Sequence, residues 1–127
     1  MAFTFKKSEK LCSKKVIEQL FSKGNSGFTL FPFRFLWVAT TLDSGVPTQI
    51  LITVSKKNFP KSTQRNRIKR QIRELYRTNK EILYTDILKT DKQFALMISY
   101  LAKDKMLYQD LSKIFHQSIL RLKSDLK

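Results

Sequence analysis

Arg65, Arg67, Lys69, Arg70, Arg73 and Arg77 put six cations into thirteen residues, with Glu74 as the one acid among them. The chemistry of such a set is anion recognition. A guanidinium presents a planar fork of donors that can meet two phosphate oxygens at once, and an ammonium is a compact point charge. Ile68, Ile72, Leu75 and Tyr76 run through the same stretch at helical spacing. At roughly 100° per residue these four share an arc of about 100°, and Asn66, Lys69, Arg70, Arg73 and Arg77 fall opposite. One face suits a protein core and the other a polyanion. Helix surfaces normally mix charge signs to gain i,i+4 pairs. Between Lys56 and Lys80, Glu74 is the only acid. A solvated, salt-bridged surface is therefore the weaker reading, and nucleic-acid contact the stronger.

Other reactive side chains form no constellation. Cys12 is the single cysteine and His116 the single histidine, so neither an internal disulfide nor a zinc site of several Cys or His ligands can be assembled. Ser55 adjoins Lys56 and Lys57 but lacks a histidine–acid pair. The ten acids are scattered, without the spacing of paired carboxylates or a two-metal centre. No catalytic residue and no metal ligand is expected. Phe31, Phe33, Phe35 and Trp37 alternate on one face of an extended segment. Core packing is the commoner use of such a stripe, and stacking on unpaired bases is the other.

The elements that must position these groups fit one domain of 127 residues. Twenty-five basic against ten acidic residues give a formal net charge of +15, which calls for an anionic partner. No apolar run approaches the ~20 residues of a membrane span, and no secretory signal opens the chain. A soluble, cytoplasmic protein is expected. Residues 1–10 read as an extended arm. Ser13 is the expected N-cap of a helix running to Lys23, with Gly24 as its stop. Phe28–Thr41 reads as a strand with Pro32 at an edge or bulge, and Thr48–Lys56 as the returning strand. The basic helix should start at Ser62 or Thr63 and break near Thr78-Asn79, followed by a second helical piece over Glu81–Lys89. Phe94–Tyr100, apolar on both faces, reads as a central strand. Met106–Leu122 reads as a last amphipathic helix burying Leu107, Leu111, Ile114, Phe115 and Leu122. Residues 123–127 should fray. The expected architecture is α+β, a single-domain two-layer sandwich in the order αββαβα.

Val54-Ser-Lys-Lys57, a short loop, then Arg65-Asn-Arg-Ile-Lys-Arg70 and Arg73-Glu74 resemble the bacterial ribonuclease P protein component. The resemblance covers the chain broadly, and its spaced block is more specific than a lone basic run. It implies a fold like the second domain of ribosomal protein S5, with a left-handed βαβ crossover. It also implies a small subunit on a large catalytic RNA, which removes the 5′ leader of precursor tRNA by magnesium-dependent hydrolysis. Magnesium would be required through the RNA and held by no protein side chain alone. By position, the resemblance assigns Arg67, Lys69, Arg70 and Arg73 to the catalytic RNA. It assigns Phe21, Phe35, Lys56, Lys57, Arg65 and Asn66 to the single-stranded leader. Two departures stand out: Ile17 replaces an aromatic found one turn before Phe21 in many members, and Asn58-Phe-Pro60 makes the loop one residue longer.

The implied partners are the catalytic RNA and precursor tRNA, with no membrane, and the protein is expected to be a monomer on its own. The alternative is a non-enzymatic ribosomal or RNA-chaperone-type binder on the same fold. A basic membrane-surface helix is disfavoured, because the apolar stripe of the basic helix is needed for the core.

Overall fold

The computed structural model describes residues 9–21, 26–42, 45–90 and 92–126. Among them seven elements follow one another: α1 (Lys14–Leu20), β1 (Ser26–Leu30), β2 (Phe33–Ala39), β3 (Thr48–Val54), α2 (Ser62–Ile87), β4 (Phe94–Tyr100) and α3 (Tyr108–Asp125). The α+β class holds, and the first block of strands contains three members rather than two. The segment read as one strand divides at Phe31-Pro32. Proline cannot donate to a ladder, and here the chain reverses so that Leu30 faces Phe33 in an antiparallel pair. The reversal stacks Phe28 on Phe35 across the two strands, ring centroids 5.2 Å apart.

The sheet order is β1-β2-β4-β3. β3 does not return onto β2. It runs parallel to β4 through the crossover helix α2, and β4 lies between them. Almost every residue of β4 is buried, as a two-sided apolar pattern requires. One sheet face carries Phe33, Phe35, Trp37, Ile50, Leu96 and Ile98 against Ile68, Ile72 and Leu75 of α2 and Phe115 and Ile119 of α3. Burial of each such side chain contributes on the order of 1.5–3 kcal/mol. The other face carries Leu36, Val38, Leu51, Ala95 and Met97 under α1 and Leu11. Beside that apolar half lies a register row of Thr29, Arg34, Ser99 and Thr53, where the Thr53 hydroxyl donates to Ser99 Oγ at 2.7 Å.

Several local expectations change. Ser13 does cap α1, its Oγ accepting the Val16 amide at 3.3 Å, whereas Lys23 and Gly24 lie outside the described residues. The N-cap of α2 is Lys61, and neither Ser62 nor Thr63 takes that role. The helix does not break at Thr78-Asn79. Thr78 Oγ1 bonds back to the Glu74 and Leu75 carbonyls and Asn79 Nδ2 to that of Leu75, so both side chains are absorbed within the helix. The buried stripe then continues through Lys80, Leu83 and Ile87. α3 extends to Asp125 instead of fraying at Lys123, and Ile119 joins its buried face while Leu107 stays exposed ahead of the first turn.

The end of the arm is not loose. Glu9 is 2% exposed and its carboxylate accepts two bonds from Lys80 Nζ, at 2.8 and 2.9 Å, and one from the Tyr84 hydroxyl at 2.5 Å. Leu11 is buried, and its amide donates to the Ile50 carbonyl at 2.8 Å. The expected flexibility of residues 1–10 therefore fails at positions 9 and 10, and residues 1–8 lie outside the described residues.

Candidate nucleic-acid interface

The first four turns of α2 carry out the division read from the helical wheel. Ile68, Ile72, Leu75 and Tyr76 are at most 2% exposed. Asn66, Arg67, Arg70 and Arg73 are exposed, and Lys69 and Arg77 are half-buried at the margins. Anchoring the apolar stripe in the core fixes the rotation of the helix, and that rotation aims the cations at solvent. Arg77 is set apart from the rest, because its guanidinium grips Glu74 with both Nε and Nη2. This bond, more than simple proximity of charge, holds the Glu74 carboxyl below its usual range.

The turn that leads into α2 is built by Ser55. Its Oγ accepts the amides of Lys57 and Asn58, at 3.1 and 3.3 Å, and its carbonyl accepts the Phe59 amide at 3.0 Å. Phe59 is buried beside Tyr100, ring centroids 6.0 Å apart, which pins the loop from below. Arg65 closes it from above, Nη1 donating at 2.8 Å to the carbonyls of both Phe59 and Pro60. Lys56 and Lys57 are left exposed on a braced turn. Arg65, assigned to the leader by resemblance, thus has part of its donor set engaged in shaping the loop.

The two aromatics assigned to the leader part company. Phe21, at the end of α1, is 66% exposed and available for stacking. Phe35 is 0% exposed, enclosed by Phe28, Phe33 and Phe115. A ring with no accessible face cannot stack on a base, so Phe35 is a core residue and not the leader contact that the resemblance implies. Period-two alternation placed Phe33, Phe35 and Trp37 on one face, and the packing of α3 decides that this face is interior, whereas Phe31 lies in the turn before β2 and is exposed.

Two cations that sequence reasoning did not assign join the surface. Lys105, from the β4–α3 loop, shares a depression of about 140 Å³ with Thr63, Gln64 and Arg67. Lys10 lies in a groove of about 300 Å³ with Asn66, Lys69 and Arg73. Sequence separation hid both, although the excess of lysine outside the basic helix hinted that the patch extended further.

Among the described residues the carboxylates do not gather. Glu9 meets Lys80, Glu74 meets Arg77, Asp86 lies 3.8 Å from Lys123 and Asp125 lies 3.8 Å from Arg121. Among the described residues no three His, Cys, Asp or Glu side chains cluster. Among the same residues no helix is long and apolar enough to cross a membrane. Burial pushes the Tyr76 hydroxyl up to about 12, against the opposing pull of its bonds to Thr48 and Tyr84. Burial, the neighbouring Tyr76 and the bond to Glu9 hold Tyr84 above the ordinary phenol range.

A mixed four-stranded sheet with one helix holding a cationic face away from the core defines a small polyanion-binding α+β protein. Comparison with known proteins narrows the class. The Ribonuclease P family model matches residues 5–121, and the chain belongs to that family. It is 28% identical over 121 residues to the ribonuclease P protein component of Porphyromonas gingivalis, covering 94% of this chain and 87% of that one. It is 32% identical over 126 residues to the ribonuclease P protein component of Desulfosudis oleivorans, covering 98% and 97%. The solved RNase P protein from Thermotoga maritima shares the fold with a TM-score of 0.68 at 21% identity, covering 89% of this chain and 96% of that one.

Proposed function

We propose that this chain, the protein subunit of a ribonuclease P, docks the outward face of α2 on the RNA subunit and helps it cut the 5′ leader from precursor tRNA. The observation that carries the reading is the helix itself: Arg67, Lys69, Arg70 and Arg73 stand away from a fully buried stripe, and among the described residues none of them has a carboxylate partner like the one that engages Arg77. Phosphates supply the missing counter-charge. The braced turn with Lys56 and Lys57, Asn66 in the second turn of α2 and the exposed ring of Phe21 suit a single strand, since cations hold a backbone without reading it and an aromatic accepts any base. Phe35 has no part in this contact. Hydrolysis and its magnesium belong to the RNA in this proposal, in keeping with carboxylates that are dispersed among cations. The chain acts as a monomeric subunit in the cytoplasm.

The test is reconstitution of the purified chain with a bacterial ribonuclease P RNA on precursor tRNA at low magnesium. Leader removal that needs both components is expected. Tight RNA binding without any rescue of cleavage, even with RNA from the same source, would point instead to a ribosomal or chaperone-type binder.

A further inference from the structure

The groove between β3 and α2 brings together three cations that come from distant parts of the chain. Lys69 and Arg73 lie one turn apart on α2, Asn66 lies one turn before Lys69, and Lys10 arrives from the arm to complete the lining. Among the described residues no carboxylate lines this groove. At about 300 Å³ it has room for a phosphodiester group. Three like charges around one space repel each other and favour an anion between them.

Lys10 is held there from both sides. It forms a parallel bridge with Ile50 on the outer edge of β3. Before it, Glu9 is fixed by Lys80 and Tyr84, and after it Leu11 is fixed in the apolar layer under α1. The Glu9–Lys80 pair spans 71 residues and has both partners buried. A buried ion pair adds little net stability over apolar side chains of the same size, because desolvation offsets attraction. It does specify position. An arm lysine free to wander would lose side-chain and backbone freedom on binding, and an anchored one has already lost it.

We propose that Lys10, Asn66, Lys69 and Arg73 form a single site for an RNA backbone phosphate, and that the buried Glu9–Lys80 pair is the latch that holds Lys10 in it. The proposal rests on the RNA-binding reading above and adds a residue and a positioning device to it. In it, Lys10 touches the ligand, and Glu9, Lys80 and Tyr84 act only through Lys10.

The experiment measures affinity of the full chain for a bacterial ribonuclease P RNA across a range of salt. Lys10→Ala should weaken binding by about tenfold and lower the slope of log K against log salt by about one. Combined with Arg73→Ala, its cost should fall short of the product of the two single effects, since both groups hold one phosphate. The latch is removed by Glu9→Gln with Lys80→Met, which leaves no unpaired buried charge, and is weakened by the milder Tyr84→Phe, which deletes one of the three bonds to the Glu9 carboxylate. In the latch-free chain, Lys10→Ala should cost little more, while Arg70→Ala should cost what it does in the native chain. Should the double variant fail to fold by circular dichroism, Tyr84→Phe carries the comparison, and there the cost of Lys10→Ala should be reduced. Native affinity and slope in Lys10→Ala, with Arg73→Ala impaired, would remove Lys10 from the site. An undiminished cost of Lys10→Ala without the latch would refute the positioning role. Salt-independent binding by the native chain would instead overturn the RNA reading itself.

Discussion

The two halves of α2 use the same residue types in opposite ways. In the first half, Lys69, Arg70 and Arg73 lean on a buried apolar stripe and present their charge outward. In the second half, Lys80 sits on the buried stripe itself, 7% exposed, with its ammonium bonded to Glu9 and 5.6 Å from the Tyr84 ring centroid. A cation with an internal carboxylate is part of the structure, and a cation aimed at solvent in a field of like charge awaits an external anion. Composition alone, which counts both as basic residues of one helix, does not separate them.

Substitutions in the second half should damage the fold most. Lys80→Ala strands the Glu9 carboxylate in the interior, and a loss of about 3–5 kcal/mol is expected by urea unfolding. A loss below about 1 kcal/mol would mean that the arm simply detaches and rehydrates. Phe35→Ala belongs with it, costing about 3–5 kcal/mol through the cavity beside Phe115. Native-like stability in that variant would reopen Phe35 as a surface residue.

Charge reversal in the first half should do the opposite. Arg70→Glu or Arg73→Glu should shift unfolding by no more than about 0.5 kcal/mol. Affinity for ribonuclease P RNA should fall by at least the ~1.5–3 kcal/mol of a hydrogen bond to a charged group. Full affinity with an unchanged circular dichroism spectrum would erase the contrast between the halves. Phe21→Ala should be the mildest of the set for stability, within about 0.5 kcal/mol, while weakening binding of a single-stranded leader by roughly 1–3 kcal/mol per lost stack. Leader affinity equal to that of the native chain would remove Phe21 from the contact.

The buried half also predicts a response to alkali. Tyr76 ionises at about 12 in the folded protein and near 10 in an unfolded chain. A raised folded value means that the folded state keeps a proton the unfolded state releases. The stabilisation is therefore fully present below about pH 10 and is lost as pH climbs toward 12. Chemical denaturation at pH 8 and pH 11 should show this decline, and Tyr76→Phe should make it smaller, leaving the share that the raised Tyr84 hydroxyl contributes. An equal decline in both proteins would place the sensitivity elsewhere.

What could be read from the sequence follows the range of the interaction concerned. The orientation of Arg70 and Arg73 was legible because it depends only on Ile68, Ile72, Leu75 and Tyr76 within the same few turns. β4 was legible as central because seclusion on both faces writes an unbroken apolar run. The failures are of two kinds. Thr78 and Asn79 looked like a break because their intrinsic preferences are poor, yet their side chains return to the carbonyls of the preceding turn. Phe35 and Lys80 were misplaced or unplaced because α3 and Glu9 decide their surroundings, and Glu9 lies 71 residues from Lys80. The groove at Lys10 is illegible for the same reason.

The salt dependence of binding to ribonuclease P RNA tests the central claim most directly, measured for the native chain and for Arg70→Ala with Arg73→Ala. The account predicts a steep linear fall of log affinity with log salt in the native chain, and a slope shallower by about two in the double variant. Identical slopes in the two proteins would mean that the outward face of α2 does not hold phosphate, and would contradict the account.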